Sequence, residues 1–174
     1  MTNFSHALAR FAALSLLLVS AAALADAPGA AKAGSLALSD GWVRATPNGA
    51  RTGAAYLTIE NKGDVEDRLT GGSSPAAATV EVHEMKMDQG VMTMRPVEGG
   101  LKLAPHAKIE LKPGGYHIML IGLARPIAAG GMVALTLHFA KAGDVTIDLP
   151  ARDASAMPGM QHGMGGMMHG GGTP

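Results

Sequence analysis

Residues 82–120 read VHEMKMDQGVMTMRPVEGGLKLAPHAKIELKPGGYHIML, and two patterns in this stretch decide how the rest of the chain is read. The first is alternation. Residues i and i+2 of a β-strand share a face, so Tyr116, Ile118 and Leu120 turn toward a core while His117 and Met119 turn away from it. The second is spacing. His83 is followed after ten residues by Met94, and Met94 after twenty-two by His117 and Met119. Two imidazoles and two thioethers gathered on one side of a sheet would make a soft, uncharged metal site.

Short β-like runs continue on both sides of this stretch. Strands are expected at 36–46, 54–61, 67–72, 78–86, 91–97, 101–103, 107–112, 116–123, 132–140 and 144–150. Turn residues separate them, among them Pro47-Asn48-Gly49, Asp88-Gln89-Gly90, Pro113-Gly114-Gly115 and Gly143-Asp144. In 132–140, Val133, Leu135, Leu137 and Phe139 form one face and Ala134, Thr136 and His138 the other. No segment sustains a helical stripe. The pattern predicts a single all-β domain, a sandwich or barrel.

The ends differ from this domain. Residues 1–10 hold Arg10 and no acid, residues 11–25 are apolar, and Ala23-Leu24-Ala25 is a small-x-small cleavage signal. Residues 1–25 therefore read as a secretory signal peptide. The sequence has no cysteine to accept a lipid, so the expected product is exported to the periplasm without stable membrane association. Residues 26–35 read as a flexible leader and 36–153 as the β-domain. Residues 154–174 hold five methionines, two histidines and seven glycines with no charged side chain, and are expected to be disordered.

Without Arg10, 13 basic residues face 14 acidic ones. That balance gives no electrostatic case for a nucleic-acid partner. Twelve methionines accompany only six aromatic residues, and eleven of the twelve lie at or after Met85. Thioether sulfur suits soft Cu(I), and imidazole is acceptable to it. Structural zinc usually takes thiolates, imidazoles or carboxylates. Blue-copper and iron–sulfur centres need the cysteine that is missing. The ligand chemistry thus points to Cu(I) held for transfer.

Packing offers competing explanations for single residues. Met132 reads as core, His106 as a turn residue and His138 as an outer-face residue. Asp64, Glu66 and Asp67 read as solvated surface. Met85 shares a face with His83, and Met92 with Met94, so either can rim the site or replace a ligand. Spacing alone leaves a metal site and coincidence equally open.

The order His83, Met94, His117-x-Met119 resembles the signature of periplasmic copper chaperones of the PCuAC type. The gap before His117 is within about one residue of the usual spacing, a difference a turn can absorb. The similarity extends to Gly41-Trp42-Val43-Arg44, Gly53-Ala54-Ala55-Tyr56, Val82-His83-Glu84-Met85, the run from Gly90 to Val97, and the run from Leu111 to Leu120. It covers roughly 36–150. The resemblance implies a cupredoxin-like β-barrel and a Cu(I) site of His83, Met94, His117 and Met119. It also implies a carrier, not an enzyme, that supplies the copper centre of cytochrome c oxidase, through subunit II or another copper chaperone serving it. The tail suggests an auxiliary copper site drawn from Met157, Met160, His162, Met164, Met167, Met168 and His169, whose imidazoles also suit Cu(II). The alternatives are a copper-dependent oxidoreductase and a metal-free β-sandwich interaction module.

Overall fold

The computed structural model describes residues 27–153; the expected signal segment and the tail lie outside them. The described chain forms β1 (Ala31–Ala33), β2 (Leu36–Arg44), β3 (Thr52–Asn61), β4 (Asp67–Ser74), β5 (Ala77–Asp88) and β6 (Val91–Pro96). After these come β7 (Leu101–Leu103), β8 (Lys108–Leu111), β9 (Tyr116–Leu123), β10 (Met132–Phe139) and β11 (Gly143–Arg152). No helix occurs among the described residues. Strands β2, β11, β10, β4, β5, β9 and β3 pair in that order, and β3 pairs back onto β2, closing a ring of seven. Every pairing is antiparallel except β11 with β2.

The connection from β5 to β9 lays β6, β7 and β8 against the ring where ring strands part. β4 pairs with β5 at Gly72 and Ser74 but with β7 at Asp67–Leu69. β3 pairs with β9 through Thr52–Ala55 and with β8 through Leu57–Glu60. β5 pairs with β6 from His83 to Asp88, giving a hairpin arm that continues beyond its pairing with β4.

Period-2 alternation fills the barrel. Leu135 and Leu137 of β10, Leu149 of β11, and Ile118 and Leu120 of β9 are all fully buried. Each such side chain contributes about 1.5–3 kcal/mol by leaving water. In β2 the alternation changes phase. Asp40 takes a positive φ of 55°, and the β2–β3 register shifts between Ser39 and Trp42. An extra residue of this kind reverses which side chains face inward. Leu36 and Leu38 point into the core before the bulge and Val43 after it, leaving Trp42 on the outer face.

Three expectations need correction. Part of the segment read as a leader is β1, with Ala31 opposite Leu38 and buried. Three residues of Ala-Lys-Ala show no alternation long enough to read. Backbone contacts reinforce the strand: Gly29 N–H donates to the Asp148 carbonyl (2.7 Å), and Gly41 N–H donates to that of Gly29 (2.8 Å). A Cβ at Gly41 would lie 2.6 Å from Leu149 Cδ2, so glycine permits that approach. Met132, read as core, is 52% exposed. It has the parity of Ala134 and Thr136, and the core parity of β10 belongs to Val133 and Leu135. Asp67, read as solvated, is buried. Its Oδ1 accepts from the N–H groups of Arg68 (2.7 Å) and Lys141 (2.9 Å), and its Oδ2 from that of Ala142 (2.9 Å). Burial alone would raise its pKa. The three backbone donors, with the charge of Lys141, outweigh burial and hold the pKa below the usual carboxylate value.

Candidate metal centre

The antiparallel register of β5 and β9 sets His83 directly opposite His117. Both are nearly buried, at 8% and 4% exposure, with ring centroids 6.0 Å apart. The turn before β9 explains how His117 is held. Gly114 adopts φ 81°, Gly115 N–H donates to the Lys112 carbonyl (3.0 Å), and Lys112 N–H donates to that of Tyr116 (2.8 Å). The Gly115 carbonyl accepts from Met85 N–H (3.1 Å) and lies 3.0 Å from His117 Nδ1.

A carbonyl only accepts hydrogen bonds, so in the neutral imidazole the proton sits on Nδ1 and the Nε2 lone pair is free. That Nε2 lies 3.2 Å from Met94 Sδ. Two lone-pair atoms then face one another with no proton between them, an arrangement a shared cation would relieve. Ligand atoms about 2.0 and 2.3 Å from one tetrahedral ion lie roughly 3.5 Å apart, so the observed spacing is close to that of neighbouring ligands.

His83 shows the complementary half of the pattern. Its Nε2 lies 2.9 Å from Glu81 Oε2, and its buried Nδ1 has no hydrogen-bond partner. One nitrogen anchored by an oxygen and the other open is how metal-binding histidines are commonly oriented. Met94 lies opposite Met85 across the β5–β6 arm, on the face of His83. Met119 is two residues along β9 from His117, half-buried, and opposite Glu81. The structure thus brings His83, His117 and Met94 together and sets Met119 one step along the same face, about 7 Å away by strand pitch.

Among the described residues, no three His, Cys, Asp or Glu side chains gather as a metal site. The sulfurs set on the same face as this His pair are those of Met94, Met85 and Met119. His106 lies outside the site, in an exposed turn at 2.9 Å from Asp64, and His138 is 2.7 Å from Asp144 on the outer face of β10. The candidates Met157, Met160, His162, Met164, Met167, Met168 and His169 lie outside the described residues.

The family sequence model described as "Putative lipoprotein LpqE-like" matches residues 36–151. The chain belongs to the LpqE-like family. A relative named "Putative lipoprotein Lxx21020", from Leifsonia xyli subsp. xyli, is 32% identical over 133 residues, spanning 76% of this chain and 78% of its own. A Rickettsia prowazekii protein is 30% identical over 101 residues, 56% of each chain. Two solved structures share the fold of this LpqE-like chain at 27% identity. The copper-bound PCuAC domain from PmoF2 superposes with a TM-score of 0.61, covering 71% of this chain and 97% of its own. The Cu(I) form of DR1885 from Deinococcus radiodurans gives 0.53, covering 71% and 80%. The LpqE-like barrel is therefore cupredoxin-like, as the sequence resemblance implied.

Sequence reasoning missed the aromatic flank of the site. Trp42 and Tyr56 are cross-strand partners with ring centroids 4.5 Å apart, and the Tyr56 ring is 6.5 Å from that of His117. Arg44 lies over Tyr56 at 5.7 Å and Arg152 over Trp42 at 5.8 Å. Burial raises the Tyr56 pKa, and Arg44 opposes that rise. Tyr56, itself buried, thus stands beside the buried His117 ring. This flank was hidden because the bulge at Asp40 reverses the parity of Trp42.

Proposed function

We propose that this protein is an exported copper carrier that binds Cu(I) through His83, Met94, His117 and Met119 and passes it to a recipient copper protein. The observation that supports this most is the bare Nε2 of His117 facing Met94 Sδ at 3.2 Å, with Nδ1 anchored on a backbone carbonyl. The donor set is neutral and half sulfur, which suits a soft monovalent ion. The likeness to copper-bound PCuAC domains supports the same cargo. Met94 is 52% exposed, so the ion would sit where an acceptor can reach a ligand, as carriage requires. This favours a carrier over a catalyst.

The copper centre of cytochrome c oxidase is the recipient suggested by the PCuAC resemblance. Export rests on the apolar segment 1–25 and on the lipoprotein names carried by the family and by its Leifsonia xyli relative. The composition of residues 154–174 supports an auxiliary site that takes further copper, Cu(II) included.

The decisive experiment is Cu(I) competition against a chromogenic chelator, with X-ray absorption to count sulfur and nitrogen neighbours. The full chain should lose its tightest equivalent in the His83→Ala/His117→Ala double variant. Retention of that equivalent, with unchanged nitrogen count, would remove these residues from the site.

A further inference from the structure

The β5–β6 arm presents a second row of sulfur. Its two-residue turn has Gln89 at φ 48° and Gly90 at φ 86°, the twist-matched geometry that fixes a hairpin's register. In that register Met87 lies opposite Met92, and Met85 opposite Met94. Alternation then places all four methionines and His83 on one face, with Glu84, Lys86, Asp88, Thr93 and Arg95 on the other. Arg95 reaches Asp88 at 3.5 Å, and the Thr93 hydroxyl donates to the Lys86 carbonyl at 3.2 Å, so the polar face has its own contacts. A slip of one residue would scatter the sulfur row across both faces.

Packing does not account for this row. Met87 is 59% exposed and Met92 is 46% exposed, so neither recovers much of the free energy that burial would give. Met94 reaches inward to His117, while Met85, Met87 and Met92 extend the row toward the turn. Side chains directly opposite have Cβ atoms about 4.5–5.5 Å apart. The three rotatable bonds of methionine allow both sulfurs of the outer rung to converge on one ion, and Met85, one rung inward, is placed to add a third.

We propose that Met85, Met87 and Met92 form an outer Cu(I) station on the arm, which loads and unloads the inner site by way of Met94. The inference rests on the copper reading above. The outer set is thioether only, whereas the inner set adds two imidazoles and is the tighter of the two. Copper moves between them without proton release from the outer ligands, because thioethers bind without losing a proton.

Methionine-methyl NMR of the full chain during Cu(I) titration tests this, with each methyl assigned by a Met→Leu variant. Met94 and Met119 should shift first, and Met85, Met87 and Met92 should shift after those two have saturated. Removal of one equivalent by the Met87→Leu/Met92→Leu variant, with the Met94 and Met119 shifts retained, would support the station. Both substitutions are at exposed positions, and a thermal melt confirms that the fold is kept. Unmoved Met85, Met87 and Met92 methyls beside shifted Met94 and Met119 would overturn the station and leave the inner site standing; a face used only to dock a protein gives this result. Unmoved Met94 and Met119 would overturn the copper site itself, and the station with it.

Discussion

Replacing Asp67 with asparagine keeps the shape of the side chain and removes its charge. In the native protein Oδ1 accepts from the backbone of Arg68 and Lys141, and Oδ2 accepts from Ala142. The asparagine carbonyl can retain the first two bonds, weakened to neutral strength. Its NH₂ group cannot accept from Ala142, whose N–H then faces another donor. A hydrogen bond to a charged group is worth about 1.5–3 kcal/mol net, and charge assistance roughly doubles a bond's strength. The neutral amide is cheaper to bury, which offsets part of the loss. A net cost of about 2–3 kcal/mol follows, and for a domain of this size each kcal/mol lowers the melting temperature by roughly 3–5 °C.

The pH dependence separates this account from a simple packing defect. Because the folded pKa of Asp67 is lowered, its stabilisation is present above the unfolded carboxylate value and is lost as pH falls through the folded one. Asparagine does not titrate in this range. The gap between native and Asp67→Asn melts should therefore be constant from about pH 6 to 8 and close in strong acid. Thermal melts followed by circular dichroism from neutral pH into strong acid provide the assay. A gap below about 0.5 kcal/mol at neutral pH, or one that persists unchanged in acid, would refute the reasoning.

Other substitutions address the site and its frame. Met94→Leu should weaken Cu(I) binding in chelator competition while changing stability by less than about 1.5 kcal/mol, since Met94 is half exposed; an unchanged affinity would exclude it as a ligand. Cu(I) affinity at the inner site should fall on acidification, because protons compete with a metal for imidazole nitrogen. A flat profile would indicate an all-thioether site. Asn61 is fully buried, and its Nδ2 lies within hydrogen-bonding distance of the carbonyls of Val65 (2.9 Å), Leu103 (3.0 Å) and Ala104 (3.2 Å). Asn61→Ala should lower stability by roughly 2–4 kcal/mol in denaturant unfolding, and a loss under 1 kcal/mol would mean water replaces the amide.

The fold was legible wherever alternation ran long enough. β9 and β7 match their predicted limits, and the other expected strands fall within a few residues of theirs. Alternation also revealed that His117 and Met119 share a face. It could not reveal which strand lies beside which. The His83–His117 contact depends on β5 pairing with β9 across thirty-three intervening residues, a relation set by barrel closure. Residues whose surroundings come from distant strands were misread for the same reason. Asp67 sits in an acidic run beside a turn, but the backbone of the β10–β11 turn surrounds it. The outward placement of Trp42 has no sign in the sequence, because the bulge at Asp40 gives no hydrophobic signature.

The Gly115 carbonyl, shared by the Met85 N–H and the His117 ring, makes the arm and the ligand parts of one mechanical coupling. Positive charge arriving at Nε2 would make Nδ1–H a stronger donor and draw harder on that oxygen. An acceptor that drew the arm away would break the Met85 bond and leave that oxygen to the His117 ring alone. Linkage requires these effects to be reciprocal: whatever loading does to the arm's equilibrium, moving the arm does to the grip on the ion. Contacts made on the arm, away from every ligand, would then alter the hold of His117 on the ion.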